Sequence, residues 1–343
     1  MQEFIEDVIR ERLEDVNIKK LTDGAVIFET AVTYDRLNFF CFNNIFAVID
    51  ILEQKNRGQK TGSGLLNYHL NKILANGINE TEIISQNSKQ TKSFRIVCSV
   101  ENTPVPVDEK LKEMAENYIS RLSSLKINRS RPDTEFWFLC RSEGFSCFLK
   151  RLTNNRAGEK TLHPGELGPQ LAWMLCKLAG LKHGEIAADP FCGYGAIPFA
   201  ACKQFPVKKF YASDRDAGCV KITASKNIPG SGPAGNNRCE IFKTDISHLS
   251  GFIREKIDAF ITDPPWGMFS EESSLQDLYD ETLSVFSGLL NSGGRAVILT
   301  AAVRELETAV ENSGLFSISR KIPILVSGKK AAVFLLELNS SSC

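Results

Sequence analysis

The sequence predicts an α/β protein whose carboxyl-terminal half forms a parallel, doubly wound sheet. From His163 onward, short apolar segments alternate with helical ones, which is the pattern of such sheets. The five predicted parallel strands are Glu185 to Ala188, Lys209 to Ser213, Cys239 to Lys243, Ala259 to Thr262 and Arg295 to Thr300. Two later apolar segments, 322–326 and 331–338, flank a Gly-Lys-Lys turn and predict a terminal antiparallel hairpin.

The first 160 residues predict a separate α+β arrangement. Apolar residues at helical spacing among charged ones predict an amphipathic helix over residues 1–16. A strand at 94–100, a helix over 108–125 and two strands at 134–140 and 144–149 then follow in the order of a compact α+β module. The intervening polar stretches, 54–64 and 85–92, are predicted to be exposed.

The composition excludes several classes of protein. Of the 343 residues, 43% are hydrophobic and 24% are charged, which is typical of soluble globular chains. The longest apolar stretch, 37–52, is interrupted by three asparagines and an aspartate, so it is a poor membrane span. The first residues are acidic where a signal peptide would be basic. We therefore expect a soluble cytoplasmic protein with no membrane partner.

Cysteine spacing and charge distribution give two further expectations. The ten cysteines form no C-x-x-C pair, so they predict buried thiols in a reducing compartment and no metal site. The net charge is zero, but residues 120–160 carry five more positive than negative charges. This stretch is either a solvated surface or the one basic region suited to nucleic acid.

A glycine-rich loop follows the first predicted parallel strand. The residues 189–196, Asp-Pro-Phe-Cys-Gly-Tyr-Gly-Ala, end that strand and open a helix. Two glycines let the backbone approach a ligand, and the helix N–H groups point toward it. A dinucleotide fingerprint would have a third glycine where Pro198 stands, so a pyrophosphate is not expected. By itself the loop also fits an ordinary strand-to-helix turn.

Acidic residues follow the next two predicted strands. Asp214 lies about twenty residues beyond the glycine loop, which is the spacing of an acid that binds a ribose diol. Asp216 is a close rival for that role. Asp245, after the third strand, could accept a hydrogen bond from an adenine amino group. Capping a helix is the alternative role for both Asp214 and Asp245.

The segment Asp263-Pro264-Pro265-Trp266 follows the fourth predicted strand. The two prolines lack N–H donors and fix φ, so the loop is stiff and its carbonyls lack local partners. The carboxylate and one free carbonyl can accept the two protons of an exocyclic amine, and the indole can stack on a flat base. A proline-rich turn with a buried tryptophan is the alternative interpretation.

Together these motifs resemble those of class I S-adenosylmethionine-dependent methyltransferases that act on exocyclic amines of nucleic acid bases. The segment 162–172, which begins Leu-His-Pro-Gly-Glu, is similar to the stretch before the catalytic domain of tRNA guanosine-N2 methyltransferases with a THUMP RNA-binding domain. The segments 94–98 and 133–138 are similar to the THUMP module itself. Members of this family usually have Tyr or Phe in place of Trp266.

The resemblance implies a fold, a cofactor and a set of site residues. Residues 158–343 would be a class I methyltransferase domain with a Rossmann-like sheet, 94–157 a THUMP-like RNA-binding module, and 1–93 a ferredoxin-like leader. The residues implied to bind S-adenosyl-L-methionine are His163, Pro164, Asp189, Phe191, Gly193, Gly195, Asp214 and Asp245. The residues implied to contact RNA phosphates are Arg129, Arg131, Lys150, Arg151 and Arg156, which we expect to be exposed.

The implied reaction is methylation of guanine N2, most simply in tRNA. The carboxylate of Asp263 and the carbonyl of Pro264 would each accept one amino proton, and Trp266 would stack on the base. Adenine N6 of RNA or DNA poses the same chemical problem, and the RNA could be ribosomal. The substrate could also be a protein glutamine amide, for which Asn is more usual at position 263. A non-catalytic RNA-binding partner on a lapsed methyltransferase fold is the hypothesis from a different class.

Overall fold

The computed structural model divides the chain into two compact units. The large unit comprises Met1–Glu14, Phe39–Cys41 and Lys160–Cys343, and the inserted unit comprises Asp15–Asn38 and Phe42–Glu159. The residues that the structure describes are 2–22, 24–33, 37, 39, 41–54, 61–78, 83, 91–153, 162–226, 228–229, 238–267, 275–326 and 328–339. Most of the two polar stretches that were predicted to be exposed, 54–64 and 85–92, lies outside these residues.

The first helix, α1 (Gln2–Arg12), confirms the predicted amphipathic helix, although it ends four residues earlier. Phe4 and Ile9 bury its apolar face. The guanidinium of Arg12 lies 5.9 Å from the centre of the Trp173 ring. By its contacts α1 therefore belongs to the large unit. In sequence, most of the inserted unit lies between α1 and the rest of the large unit.

The inserted unit contains a mixed sheet with two helices. Its elements are β1 (Asn17–Thr22), β2 (Ala25–Glu29), β3 (Phe46–Glu53), α2 (Gly62–Asn76), β4 (Ser93–Val100), β5 (Thr103–Pro104), α3 (Glu109–Ser123), β6 (Lys126–Ile127), β7 (Thr134–Arg141) and β8 (Phe145–Arg151). The main sheet has the order β3-β8-β7-β4-β5, and β6 pairs with β4. The predicted strand, helix, strand, strand order is confirmed. Because β3 pairs with β8, residues before and after position 93 share one sheet.

Strand β8 is buried on both faces. Phe148 packs in the core that includes residues of α2 and α3, whereas Cys147 and Leu149 pack on the opposite face beside Ile27 of β2. Lys150 is only 2% exposed, and its Nζ donates a hydrogen bond to the Ile83 carbonyl at 3.0 Å. The expectation that Lys150 is exposed is therefore wrong, because both faces of its strand are covered.

A buried polar network connects three elements of the inserted unit. His69 of α2 is fully buried, with Nε2 2.9 Å from Asp50 Oδ2 and Nδ1 2.9 Å from Ser146 Oγ. Burial lowers the pKa of this histidine. Ser146 is also fully buried, so this Ser-His-Asp arrangement is inaccessible to a substrate and acts as a structural tie between β3, α2 and β8.

The large unit contains the predicted parallel sheet. Its strands are β9 (Ile186–Asp189), β10 (Lys209–Asp214), β11 (Cys239–Lys243), β12 (Ile257–Thr262), β13 (Leu290–Thr300), β14 (Phe316–Val326) and β15 (Lys329–Leu338). They are arranged in the order β11-β10-β9-β12-β13-β15-β14. Strands β9 to β13 are parallel, and β15 is antiparallel to both β13 and β14. The prediction of five parallel strands and a terminal hairpin is confirmed.

Helices cover both faces of this sheet. They are α4 (Pro169–Leu178), α5 (Ala196–Gln204), α6 (Ala217–Ser225), α7 (Leu249–Phe252), α8 (Leu275–Leu289) and α9 (Val303–Ser313), with a 3-10 turn at Ile246–His248. One core packs α4 and α5 on the sheet, and the other packs α8 and α9. The strand order reverses between β9 and β12, and open α/β sheets bind ligands at such a reversal.

No helix in the described part of the chain has both the length and the apolar composition needed to cross a membrane.

Candidate active site

The glycine loop after β9 depends on two residues with positive φ. Gly193 has φ +48° and Gly195 has φ +80°, in the left-handed region that favours glycine. Gly195 also donates its N–H to the Cys192 carbonyl at 2.7 Å. A Cβ on Gly195 would lie 2.6 Å from Thr223 Cγ2 of α6, so the close approach of α6 requires a glycine at this position.

Asp214 lies at the end of β10 and is fixed by backbone donors. Its Oδ2 accepts the N–H of Gly193 at 2.9 Å, and its Oδ1 accepts the N–H of Asp216 at 2.9 Å. Each carboxylate oxygen can accept a further hydrogen bond. Asp214 is thus tied to the glycine loop while it retains acceptor capacity.

Asp216, the rival of Asp214, has a structural role. It is exposed and caps α6, because its Oδ1 accepts the N–H groups of Gly218 at 2.6 Å and Cys219 at 3.3 Å. Asp245 also caps a turn, and its role in ligand binding stays a prediction. Its Oδ1 accepts the N–H of Ser247 at 3.3 Å at the start of the 3-10 turn, and the residue also lines the cleft described below.

Asp189 is a buried carboxyl behind the glycine loop. Its Oδ1 accepts hydrogen bonds from Thr262 Oγ1 at 2.6 Å and from the Phe191 N–H at 3.2 Å. Its Oδ2 is buried without a hydrogen-bond partner among the described residues. Burial, together with the nearby carboxylates of Asp214 and Asp263, raises the pKa of Asp189 to about 8. Three acidic side chains therefore converge at the ends of β9, β10 and β12.

Asp263 directly follows β12 and contacts Trp266. The indole Nε1–H of Trp266 donates to Asp263 Oδ1 at 2.8 Å. Burial raises the pKa of Asp263, and the hydrogen bond from Trp266 opposes this effect. The resulting pKa is about 7. At the end of the loop, a Cβ on Gly267 would lie 2.6 Å from Leu275 Cδ1, so the loop is packed closely on the start of α8.

An open cleft lies at the carboxyl ends of these strands. Its lining residues are Pro190, Phe191, Gly193, Asp214, Arg215, Thr244, Asp245, Ile246, Asp263, Pro265, Leu275 and Leu278. The structure thus brings together five of the predicted site residues, Phe191, Gly193, Asp214, Asp245 and Asp263. Arg215 and Thr244 were not identified from the sequence, although each is adjacent to a predicted acid. Leu275 and Leu278 gave no motif signal.

The remaining predicted site residues of the large unit do not line the cleft. They are His163, Pro164, Asp189, Gly195, Pro264 and Trp266. The His163 ring stacks on Tyr194 of the glycine loop, with the ring centres 4.4 Å apart. Glu166 accepts the His163 N–H at 3.0 Å and forms an ion pair with Lys226. The segment at 163–166 is thereby held beside the glycine loop, and its part in ligand binding stays a prediction.

The five predicted RNA contacts differ in their surroundings. Arg129 forms an ion pair with Glu116 at 2.6 Å, and Arg151 forms one with Glu135 at 2.9 Å. Arg129 and Arg131 are exposed as expected, whereas the Arg151 side chain is only 12% exposed and Lys150 is buried as described above, so the expected exposure is wrong for these two. Arg156 lies outside the described residues.

Comparisons with known proteins agree with this architecture. Residues 156–322 match the family model of the RMKL-like methyltransferase domain. A tRNA (guanine(10)-N2)-dimethyltransferase of Methanothermobacter thermautotrophicus is 29% identical over 151 residues, which cover 43% of each chain. A tRNA (guanine(6)-N2)-methyltransferase of Archaeoglobus fulgidus is 26% identical over 178 residues, covering 45% of this chain and 44% of the relative. The matched region therefore spans less than half of the length of these relatives.

Two solved structures resemble the fold over nearly the whole chain. TrmN from Thermus thermophilus superposes with a TM-score of 0.74, at 19% identity and with 98% and 96% of the two chains covered. SMU.472, crystallised in complex with SAH, has a TM-score of 0.68 at 12% identity, with 96% and 94% covered. At these identities the likeness establishes the α/β architecture.

Proposed function

Because residues 156–322 match the model of the RMKL-like methyltransferase domain, we propose that the chain methylates the exocyclic N2 of a guanosine in tRNA, with S-adenosylmethionine as the methyl donor. One observation carries the proposal: Asp214 and Asp263 line the same cleft. The first is an acceptor suited to hydroxyl groups, and the second is an acceptor suited to an amine. The curated relatives, which are named as tRNA guanine-N2 methyltransferases, support the choice of base.

The residues around the cleft fit this cofactor. A Cβ on Gly193 would meet no atom within 4 Å, so the backbone there borders open space. Asp214 and Asp245 supply acceptors for hydroxyl and amino donors, and Phe191 and Ile246 supply apolar surface for a flat ring. The unpartnered Oδ2 of Asp189 is a further acceptor behind the loop. When bound, the cofactor supplies an electrophilic methyl group on a sulfonium.

The proposed chemistry depends on how the chain orients the amine. The N2 lone pair of guanine is delocalised into the ring, so the free amine is a poor nucleophile. The Asp263 carboxylate accepts one amino proton and the Pro264 carbonyl accepts the other, which directs the lone pair at the methyl group. Fixed acceptors and proximity lower the barrier because they need no reorganisation during the reaction. Asp263 is also placed to take up the proton that the amine loses.

We propose that RNA binds the inserted unit, with residues 94–157 acting as a THUMP-like module after a leader at 1–93. Arg131 is exposed at a turn that follows β6. The N–H of Lys126 in β6 donates to the carbonyl of Lys92 at 2.9 Å, so the backbones of these two residues are adjacent in space. Both lysines are exposed. These three side chains extend the predicted RNA surface. The described cysteines, which are thiols and mostly buried, suit a cytoplasmic location.

A transfer assay tests the proposed function. The protein is incubated with labelled S-adenosylmethionine and with separated tRNA and rRNA that lack the modification, and the methylated nucleoside is identified and mapped. We expect N2-methylguanosine in tRNA, and we expect an Asp263→Asn variant to give no product. N6-methyladenosine, a product in rRNA alone, or cofactor binding without transfer to any RNA would each overturn the proposal.

A further inference from the structure

Trp266 makes a hydrogen bond to Asp263 that stacking on a base would not require. The indole Nε1–H donates to one carboxylate oxygen at 2.8 Å, a distance typical of a charge-assisted bond. The two residues are three positions apart in sequence, and both residues between them belong to the stiff proline pair. The donor and the acceptor are therefore held by the same short loop.

Packing fixes the indole in this orientation. Trp266 is half-buried and packs against the core that contains residues of α4 and α5. The ring therefore cannot turn freely, and its N–H stays directed at Asp263. Phenylalanine has no donor, and the hydroxyl of tyrosine lies at the tip of its ring rather than on its side. The usual aromatic residues of this position would thus leave Oδ1 of Asp263 without this bond.

We propose that Trp266 is a positioning residue whose indole N–H holds Oδ1 of Asp263, so that Oδ2 is the oxygen presented to the amine of the base. This inference rests on the proposed function for the identity of the amine. The hydrogen bond itself is a property of the free protein, so it can be tested without any substrate.

The electrostatic surroundings of Asp263 make the bond measurable. Asp189 at the end of β9 and Tyr279 of α8 interact electrostatically with Asp263, and Asp214 faces the same cleft from β10. Burial raises the pKa of Asp263 to about 7, and the donor from Trp266 favours the charged form. Since the bond stabilises the carboxylate, its removal raises the pKa further.

The chain contains a matched control for this measurement. It has three tryptophans, Trp137, Trp173 and Trp266. In the inserted unit, Trp137 Nε1 donates to Glu135 Oε2 at 2.9 Å, which is the same type of bond. Burial alone would raise the pKa of Glu135, but hydrogen bonds from Trp137 and Arg151 and the charge of Arg95 lower it overall. The two indole groups therefore report on carboxyls whose pKa values are shifted in opposite directions.

The first experiment follows the three indole N–H signals of the free, full-length protein by ¹⁵N–¹H NMR between pH 5 and pH 9. We expect the Trp266 signal to titrate with a midpoint near pH 7, and we expect the Trp137 signal not to titrate in this range. Asp263→Asn should abolish the Trp266 titration. A Trp266 signal that does not titrate, or one that titrates equally in Asp263→Asn, would overturn the inference.

The second experiment compares the pH dependence of methyl transfer in the wild type and in Trp266→Phe. We expect the midpoint to rise by about 1 pH unit in the variant, which equals a tenfold weaker preference for the carboxylate form. Trp266→His, which keeps a ring N–H, should recover part of this shift. An unchanged midpoint with a lower rate at every pH would assign Trp266 to packing or stacking alone. If no RNA were methylated, the NMR titration would still decide the inference separately from the proposed function.

Discussion

Gly195 and Thr223 are packed so closely that a Cβ on the glycine would lie 2.6 Å from Thr223 Cγ2. Thr223 also donates its hydroxyl to the Gly193 carbonyl at 2.8 Å. One side chain of α6 thus contacts both glycines of the loop after β9. The shape of the loop, and hence the position of its N–H groups, is fixed by a helix that follows the next strand.

Gly195→Ala should destabilise the large unit and weaken cofactor binding. An alanine in the left-handed region costs about 1–2 kcal/mol, and the steric overlap with Thr223 adds about 1–3 kcal/mol. Urea unfolding measures the stability, and calorimetry with S-adenosylmethionine measures the affinity. Gly184→Ala is the control, because Gly184 has φ +87° but no atom within 4 Å of its Cβ position. Equal losses in both variants would show that the contact with Thr223 is not the constraint.

Asp214→Ala and Asp216→Ala should separate ligand binding from helix capping. We expect Asp214→Ala to weaken the affinity for S-adenosylmethionine by about 10- to 100-fold, as expected for a lost hydrogen bond to a charged group. RNA affinity should be unchanged. Asp216→Ala should lower the stability by about 1 kcal/mol with cofactor affinity within a few fold, because it removes the N-cap of α6. The reverse pattern in calorimetry would assign the hydroxyl-binding role to Asp216.

Asp263→Ala should lower kcat by at least ~100-fold, by analogy with the removal of one preorganised group that stabilises a transition state. The affinity for S-adenosylmethionine should remain within a few fold, which calorimetry measures. Asp258→Ala is a matched control on the same strand, since Asp258 accepts the Ile186 N–H at 2.8 Å away from the cleft. It should affect stability more than kcat. Near-normal turnover of Asp263→Ala would contradict its proposed role.

Charge reversal at Lys92, Lys126 and Arg131 should weaken RNA binding. Each lost phosphate contact should lower the salt dependence of the affinity by about 0.7 to 0.9 log units per log unit of salt. Titrations at several salt concentrations, with the triple Glu variant and the wild type, measure this slope. Lys208→Glu changes an exposed cation of the large unit and should leave the slope unchanged. Identical slopes for the triple variant and the wild type would locate the RNA surface elsewhere.

The stability of the inserted unit should fall below about pH 6.5. Burial lowers the pKa of His69, so the unfolded chain binds a proton more readily than the folded one. The stabilisation from neutral His69 is therefore fully present above the unfolded pKa of about 6.5, and it is lost as the pH falls, by at most about 1.4 kcal/mol per pH unit. Urea unfolding between pH 5 and pH 8, followed by Trp137 fluorescence, should show this slope. The slope should be absent in His69→Gln and retained in His183→Gln, an exposed site. If the stability of His69→Gln still fell with pH in the same way, His69 would not be the cause of the pH dependence.

The sequence was sufficient to predict the large unit because its main signals are local. Each parallel strand is a short apolar run, and parallel strands end at the same edge of a sheet. Asp189, Asp214 and Asp263 could therefore be grouped although they lie 25 and 49 residues apart in sequence. The bond between Trp266 and Asp263 could not be predicted, since it depends on a side-chain rotamer that the packing of the surrounding core selects.

The inserted unit was predicted less completely because its decisive contacts are distant in sequence. The pairing of β3 with β8 joins residues about 100 positions apart, and no turn signal connects them. The same pairing covers β8, so the exposure of Lys150 was misjudged from strand ends alone. Helix α2 also escaped prediction, even though Leu66, Leu70 and Ile73 have helical spacing.

The packing of α1 on the large unit has a consequence for synthesis of the protein. The helix leaves the ribosome well before Trp173, and Arg320, whose guanidinium lies 6.0 Å from the Phe4 ring, follows later still. At roughly 5 to 20 residues per second, translation of the chain between Phe4 and Arg320 takes about 15 to 60 seconds. During that interval the part of the large unit that packs on α1 is incomplete. A nascent chain of this protein therefore offers a chaperone an incompletely covered amphipathic helix until β14, which carries Arg320, emerges.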